Sequence, residues 1–271
     1  MRVIVWASEK GGTGKTSSAI NSAVALAKSG SRVLLVDLDP QANASLVMLE
    51  GQGAAPPTAG AVLLGGATVA ESVRVTRTPR LELLPADVSL ADANLELANK
   101  IGRENRLRAA LVEVRSRYDV VVIDTPPTRS ILTINALVAA GEVLIPVEPG
   151  LFSLSGLGQL QSAIDDVRRY LDNPALKIAG ILITRTRHDS VSRDVETQLR
   201  ETFGELVFKT TIPTSVKVEE AHGRFLSVID YSPRSPGAKA YLSLAEEIIN
   251  GGKTKRTGDT PNRLAQTHDA A

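Results

Sequence analysis

The stretch S-E-K-G-G-T-G-K-T-S (residues 8–17) directly follows the apolar run V-I-V-W-A (residues 3–7). Its ending, Gly14-Lys15-Thr16, matches the end of the phosphate-loop pattern G-x-x-x-x-G-K-[ST]. Glycines permit the backbone torsions of such a loop, whose amides point at an anion together with those of the following helix. The pattern requires a further glycine where this chain has Glu9, and a second lysine, Lys10, comes next. The stretch predicts a strand, a phosphate loop and a helix; a glycine-rich turn without a ligand is the alternative.

Short, β-branched apolar runs recur along the chain, as is typical of strands covered on both faces of a parallel sheet. They span residues 2–7, 32–36, 81–84, 119–123, 143–147, 177–184 and 206–212. Between them, apolar residues repeat at helical spacing in the stretches 20–27, 157–171 and 241–248. The alternation predicts an α/β fold: a single-domain, twisted, mainly parallel sheet with helices on both faces and right-handed crossovers.

Two stretches depart from this alternation. Residues 51–60 (GQGAAPPTAG) are expected to form a loop. Residues 251–271 contain one large aliphatic residue, Leu264, and are expected to be a disordered tail. The predicted domain therefore covers residues 1–250.

Two predicted strands end in aspartates: Asp37 and Asp39 follow the second, and Asp124 follows the fourth. Ligands of open parallel sheets sit beyond the carboxyl ends of strands, so we expect these carboxylates beside the phosphate loop. There Lys15 would reach the β- and γ-phosphates, Thr16 would coordinate Mg²⁺, and Asp124 would hold the ion through water. A lone aspartate at a strand end is often a turn former or a helix cap. Three of them beside a G-K-T loop indicate a nucleotide triphosphatase.

The composition excludes several kinds of site. The 271 residues include no cysteine, which excludes disulfides, thiolate metal sites and cysteine nucleophiles and fits a reducing cytosol. The N-terminal apolar run is too short for a signal peptide, and no stretch reaches membrane-spanning length. The net charge of +1 leaves any nucleic-acid surface to a local patch. We therefore expect a cytoplasmic protein.

K-G-G-T-G-K-T-S (residues 10–17) resembles the deviant Walker A motif of the ParA/MinD class of ATPases. V-D-L-D-P-Q-A-N-A-S (residues 36–45) and V-V-I-D-T-P-P (residues 121–127) are similar to the other two nucleotide motifs of that class. Shorter stretches, such as S-P-R-S-P-G-A (residues 232–238), resemble the ParA/Soj branch in particular. The resemblance implies an ATPase with ATP and Mg²⁺ as cofactors, whose slow hydrolysis is stimulated by a partner.

The resemblance also implies roles for single residues. Lys10 would reach the phosphates of the ATP in the opposite subunit of an ATP-sandwich homodimer, in catalysis with Lys15 and Asp39. Asp39 would position the attacking water, and Asp37 would lie beside the Mg²⁺ shell. Ala42 stands where relatives commonly carry glycine. The expected nucleotide-binding residues are Gly11, Gly12, Thr13, Gly14, Lys15, Thr16, Ser17, Thr184, Arg185, Ile212 and Pro213.

Members of the class differ in the ligand residues and terminal segments that they carry in addition to the ATPase core, and several kinds of member can be excluded on this basis. The lack of cysteine excludes iron–sulfur carriers and arsenite-pump ATPases, and the tail has no tyrosine cluster. The tail also lacks the apolar stripe of a membrane helix, so stable membrane anchoring is not expected. What remains is a nucleoid-associated DNA-partition or cargo-positioning ATPase with a ParB-like or cargo adaptor. The alternatives are a metabolic ATP-dependent ligase on the same fold and the positioning of a protein cargo, such as a chemoreceptor cluster or a carboxysome.

The resemblance implies that the ATP-bound dimer binds double-stranded DNA without sequence preference, through basic residues. Lys217, in I-P-T-S-V-K (residues 212–217), matches a DNA-contacting position of the Soj branch. The weaker candidates are Arg185, Arg187, Arg193, Arg224 and Arg234. Acidic residues are about as frequent in this region, so ordinary solvated charges are the alternative. A denser basic run on an expected helix is a second option for this surface; it contains Lys100, Arg103, Arg106 and Arg108.

Overall fold

The computed structural model describes residues 1–150, 153–187 and 189–251. Within them, the strands are β1 (Arg2–Trp6), β2 (Val33–Asp37), β3 (Arg74–Val75), β4 (Leu81–Leu84), β5 (Val120–Asp124), β6 (Glu142–Val147), β7 (Lys177–Thr186) and β8 (Ile212–Pro213). The α-helices are α1 (Lys15–Lys28), α2 (Asn43–Met48), α3 (Ala59–Leu64), α4 (Val69–Ser72), α5 (Ser89–Leu97), α6 (Arg106–Val112), α7 (Ile131–Ala139), α8 (Ser153–Tyr170), α9 (Ser190–Phe203), α10 (Val216–Gly223), α11 (Val228–Tyr231) and α12 (Pro236–Gly251). The predicted tail lies outside the described residues except for Gly251, which ends α12.

The strands form one eight-stranded sheet in the order β3-β4-β2-β5-β1-β6-β7-β8. Every pairing is parallel except that of β3 with β4. The helices cover both faces, which confirms the predicted single-domain α/β fold with a mainly parallel sheet. None of the helices in the described ranges is long and apolar enough to cross a membrane.

The central strands β2 and β5 are buried over their whole length, which explains their unbroken apolar sequences. Successive side chains point to opposite faces. Leu34 and Val36 accordingly join a core under α3 to α9, while Val33 and Leu35 join a second core under α1, α2 and α10 to α12. The helical stretches predicted at residues 20–27, 157–171 and 241–248 fall in α1, α8 and α12. Their apolar stripes face these two cores.

The strand predicted over residues 206–212 is wrong. Val207 forms only an isolated bridge to Ile181, and regular pairing resumes at Ile212. The backbone N–H groups of Lys209 and Thr210 donate instead to the Glu247 carboxylate of α12, each at 2.8 Å. Because a side chain satisfies these donors, the chain leaves the sheet edge at this point.

Three further differences concern short elements. The edge strand β3 was not expected, because a two-residue strand carries no periodicity. The predicted loop at residues 51–60 ends two residues early, since α3 begins at Ala59. The basic run at residues 100–108 is only partly helical: Lys100 lies in a turn, Arg103 in a 3-10 helix, and α6 begins at Arg106.

The carboxyl ends of β1, β2 and β5 meet at one edge of the sheet. Asp37 is the register partner of Asp124, which is also the partner of Trp6. The loop that follows β1 therefore lies beside both aspartates, as the sequence predicted.

Candidate nucleotide site

The loop between β1 and α1 has the backbone of an anion site. Gly12 and Gly14 have φ angles of 77° and 84°, in the left-handed region that favours glycine. Gly14 is also the N-cap of α1 and has no side chain to satisfy the first amides of the helix. These amides and the positive end of the α1 dipole are thus left for an anionic ligand.

Lys15 lies buried at the start of α1. Its ammonium donates to the carbonyl oxygen of Lys10 at 3.3 Å. Burial lowers the pKa of Lys15, while the nearby carboxylates of Asp124 and Asp39 oppose that shift. The Lys15 side chain therefore lies against the phosphate loop, near the carboxylates of Asp124 and Asp39.

Thr184, at the end of β7, fixes the loop from the other side. Its hydroxyl donates to the Thr13 carbonyl at 2.8 Å, and both the hydroxyl and Thr13 are buried. Thr184 pairs with Ile212, so the tip of β8 also comes close to the loop, and Pro213 follows as the partner of Thr186. This arrangement brings together three of the four residues predicted to flank the base.

Arg185, the fourth, points elsewhere. Its backbone is left-handed, with φ at 54°. Its guanidinium lies 4.0 Å from the Glu148 carboxylate and 3.7 Å from that of Glu219, and the side chain is half exposed. Its predicted contact with the base stays a prediction.

Asp124 is fully buried, and neither carboxylate oxygen has a hydrogen bond of good geometry within the described residues. Burial raises its pKa, and the negative charge of Asp37 raises it further. The Thr16 hydroxyl and the Lys15 ammonium lie close enough to oppose this shift. A nearby cation stabilises a buried carboxylate that has no well-aligned hydrogen bond, so this acid and the hydroxyl of Thr16 fit Mg²⁺.

Asp37, by contrast, has its carboxylate occupied. One oxygen accepts the Asp39 amide at 3.0 Å, and the other accepts the Ser45 amide at 2.8 Å and the Ser45 hydroxyl at 2.7 Å. Burial raises its pKa to about 6. Asp37 thus fixes the segment between β2 and α2, and its place beside a Mg²⁺ shell stays a prediction. Ser45 is a residue that the sequence reasoning missed, although it lies within the quoted motif at residues 36–45.

Asp39 is nearly buried and accepts the Gln41 amide at 2.9 Å. The turn that it forms ends at Ala42, whose φ of 53° is left-handed and which caps α2. Left-handed torsions cost a non-glycine residue roughly 1–2 kcal/mol, so glycine would be less strained than alanine at this position.

Thr125 and Glu9 were not predicted as site residues. The Thr125 hydroxyl donates to the Trp6 carbonyl at 2.8 Å, which joins the segment after β5 to the end of β1. Glu9, in place of the first glycine of the pattern, forms an ion pair with Arg129 at 3.0 Å. Lys10 itself is exposed, and no ion pair of its ammonium occurs among the residues that the structure describes.

No group of three or more His, Asp or Glu side chains within the described ranges is arranged to hold a metal by itself. Mg²⁺ is commonly bound through one or two protein oxygens, substrate phosphates and water. Asp124 and Thr16 therefore suit an ion that arrives with a nucleotide.

The predicted DNA-binding residues fall into separate groups. Lys217 forms an ion pair with Glu220 at 2.7 Å, and its ammonium lies 5.8 Å from the centre of the Tyr231 ring, over which Arg224 also lies at 5.8 Å. We call these four residues the Tyr231 cluster. Arg187 and Arg193 are exposed on either side of Asp189, and Arg234 is exposed between α11 and α12. The basic run at residues 100–108, the alternative DNA surface, is largely engaged in ion pairs: Lys100 with Glu96, Arg103 with Glu104 and Arg108 with Asp172.

Comparisons with known proteins agree with this site. Residues 1–178 match the model of a family described as AAA domain. The chain is 41% identical to the chromosome partitioning protein ParA of Caulobacter vibrioides, over 92% of this chain and 94% of that protein. It is 38% identical to the sporulation initiation inhibitor protein Soj of Bacillus subtilis, over 93% of this chain and 99% of that protein.

A solved structure shares the fold. It is that of cobyrinic acid a,c-diamide synthase from Mycobacterium smegmatis with a bound ATP analog and magnesium, at a TM-score of 0.81 and 33% identity, covering 96% of this chain and 99% of that one. It supports nucleotide and Mg²⁺ binding at this kind of site. Since these matches extend over most of its length, the chain belongs to the ParA/MinD-type family of P-loop ATPases.

Proposed function

We propose that this protein is a cytoplasmic, nucleoid-associated partition ATPase that forms an ATP-sandwich homodimer, binds DNA without sequence preference and is released when an adaptor stimulates hydrolysis. The observation that carries the proposal is the position of Lys10. It is an exposed lysine on a phosphate loop that already contains a buried one, and no ion pair of its ammonium occurs among the described residues, so this charge is available to a second molecule. The partition relatives supply the biological context.

In this proposal the loop residues Gly11 to Ser17 bind the phosphates through their amides. Lys15 exchanges the Lys10 carbonyl for the β- and γ-phosphates, to which its charge is better matched. Thr16 and Asp124 would hold Mg²⁺, which would offset the charge of the phosphates. Asp39 orients the attacking water, and Asp37 keeps the Asp39 segment in place through its bonds to Ser45.

Lys10 is assigned to the γ-phosphate bound by the partner subunit. A cation delivered across the dimer stabilises the charge of the transferring phosphoryl group and makes dimerisation depend on ATP.

Two variants test these assignments. Asp39→Ala should form ATP-dependent dimers that do not turn over, because the residue that orients the attacking water is lost, whereas Lys15→Ala should lose ATP binding. Light scattering with ATP or ADP, together with phosphate release, distinguishes the two outcomes.

The Tyr231 cluster is the proposed centre of the DNA surface. It carries two cations for one carboxylate, and Lys217 is half exposed. A DNA phosphate can replace Glu220 as the partner of Lys217 at small cost, because exposed ion pairs are worth only about 0–1 kcal/mol. Arg187, Arg193 and Arg234, which lie apart from this cluster, are proposed to be further contacts with DNA phosphates.

The decisive measurement is the fluorescence anisotropy of a labelled random-sequence duplex, titrated with protein in ATP, in ADP and without nucleotide, at several salt concentrations. We expect ATP-dependent binding whose logarithm falls linearly with the logarithm of salt, with a slope that is smaller by roughly one in Lys217→Ala. The matched control is Lys177→Ala, another surface lysine with a glutamate partner, at 3.8 Å. Failure of every nucleotide state to bind DNA would exclude the DNA-binding part and favour positioning of a cargo through a protein scaffold.

A metabolic ligase on the same fold is the second candidate, because the solved neighbour is named a synthase. It requires a pocket for a second substrate next to the phosphates. Two cavities among the described residues are lined by residues such as Lys28 and Thr78 or Met48 and Val75, and both lie away from the phosphate loop. ATP turnover that depends on a small carboxylic acid and an amine donor, and not on DNA with an adaptor, would favour the ligase.

A further inference from the structure

The ion pair between Glu9 and Arg129 joins three segments around the nucleotide site. Glu9 lies in the phosphate loop, and Arg129 lies between β5 and α7, in the segment that begins directly after Asp124. Arg129 Nε is 3.0 Å from Glu9 Oε1, and its Nη2 donates to the Gln159 carbonyl of α8 at 2.9 Å. One guanidinium therefore contacts the phosphate loop and α8 from the segment that follows the candidate metal ligand.

The environment of Glu9 makes this contact specific. Its Oε1 is shielded from solvent and has no aligned hydrogen bond among the described residues, so Arg129 is the charge that compensates it. The side chains are 22% and 47% exposed, respectively. A pair this accessible contributes little to global stability. Its effect is to fix the geometry of the loop.

The residue whose geometry it fixes is Lys10. The Lys10 amide donates to the Ser8 hydroxyl at 3.4 Å, and its carbonyl accepts from the Lys15 ammonium at 3.3 Å. With the Glu9 side chain held by Arg129, the backbone on both sides of Lys10 is constrained and only its side chain extends freely. Glycine at position 9 could not provide such an anchor.

We propose that Glu9 and Arg129 form a positioning pair: the pair sets the direction in which Lys10 leaves the loop and couples that direction to the segment that follows Asp124. The inference rests on the proposed function of Lys10. It gives Glu9 a role at the position where the phosphate-loop pattern has glycine.

The test measures ATP turnover at saturating ATP, together with ADP affinity, for Glu9→Gln, Arg129→Gln and the charge-swapped double variant Glu9→Arg with Arg129→Glu. Each single variant should lower kcat by about 10-fold, because misplacing a catalytic group by a fraction of an ångström has effects of this size. ADP affinity and Tm should hardly change, since neither side chain is assigned to the phosphates. The swapped variant should recover most of the lost kcat.

Unchanged kcat in both single variants, or a folded swapped variant without recovery, would overturn the proposal. If the swapped variant does not fold, the double variant Glu9→Gln with Arg129→Gln decides. If Glu9 and Arg129 act as a pair, kcat of this double variant should fall no further than that of one single variant. If they act independently, the fold-loss in kcat should be the product of the two single losses.

The control is a second, more exposed ion pair, Arg32 with Asp119 at 2.8 Å, at the opposite ends of the strands. Asp119→Asn should leave kcat unchanged. The molar mass of the wild-type protein with ATP separates the two levels of inference. A wild type that stays monomeric with ATP refutes the proposed dimer, while the kcat values still decide whether Glu9 and Arg129 act together.

Discussion

An aspartate stands at each end of β5, and the two differ in every physical respect. Asp119, before the strand, is exposed and accepts both side-chain and backbone N–H groups of Arg32, which lower its pKa to about 2. Asp124, at the other end, is buried without a hydrogen bond of good geometry, and burial raises its pKa. The amino edge of the sheet thus satisfies its charges within the chain. At the carboxyl edge, Lys15 and Thr16 only partly compensate the buried carboxylate, which a bound cation would stabilise further; the arrangement favours binding over stability.

The largest effect is expected when aspartate is replaced by asparagine at each end of β5, because the two substitutions should change stability and turnover in opposite ways. Asp124→Asn removes a buried charge, so the nucleotide-free protein should be stabilised by about 1–2 kcal/mol. Turnover should fall at least ~100-fold, because the ligand for the metal is lost. Asp119→Asn should do the reverse, with a lower Tm and unchanged turnover. Thermal unfolding without nucleotide and phosphate release measure both; a less stable Asp124→Asn would contradict the cost assigned to that carboxylate.

A second prediction concerns two buried threonines whose hydroxyls each donate to a carbonyl at 2.8 Å. Thr184 donates to the Thr13 carbonyl of the phosphate loop, and Thr76 donates to the Leu81 carbonyl at the start of β4 and also accepts the Thr78 amide at 3.2 Å. Threonine to valine should cost about 1 kcal/mol of stability at Thr184 and at least as much at Thr76. Only Thr184→Val should weaken nucleotide binding, by roughly 10-fold. Equal nucleotide Kd values for the two variants in a titration with a fluorescent ADP analogue would show that β7 does not order the loop.

Backbone strain offers a third comparison. Ala42→Gly relieves a left-handed alanine beside Asp39, and after the added entropy of the unfolded chain it should stabilise the fold by about 0.5 kcal/mol. The same change at the exposed Ala109, in the middle of α6, should destabilise it by about 1 kcal/mol. In urea denaturation, the two variants should change the free energy of unfolding in opposite directions. Destabilisation by both would mean that position 42 is not strained.

The smallest effect concerns pH and is confined to the amino edge. Because the folded-state pKa of Asp119 is lowered, its pairing with Arg32 stabilises the fold above the ordinary pKa of aspartate and is lost as pH falls toward 2. The difference in Tm between wild type and Asp119→Asn should therefore be largest above pH 5 and vanish near pH 2. Arg32 is half exposed, so the difference is expected to be small. A difference that is constant with pH would exclude the ion pair as its source.

The fold was largely predictable because its signals are local. Continuous β-branched runs, apolar stripes at helical spacing and the glycines at positions 12 and 14 each report a backbone preference that neighbouring residues reinforce. The wrong strand prediction, by contrast, depends on a contact between residues that are distant in sequence. The run at residues 206–212 has the composition of a strand, but two of its backbone N–H groups donate hydrogen bonds to the Glu247 carboxylate.

The sequence by itself determined the phosphate loop, the parallel sheet and the gathering of Asp37 and Asp124 at one edge, because strand ends follow from pattern and parallel pairing. Only the tertiary structure decided what each acid does. Asp37 is bonded to Ser45 and shapes a segment, while Asp124 has no aligned partner and calls for a cation. It likewise decided that Glu9 contacts Arg129, since contacts between residues so far apart in the chain depend on packing, which no local pattern encodes.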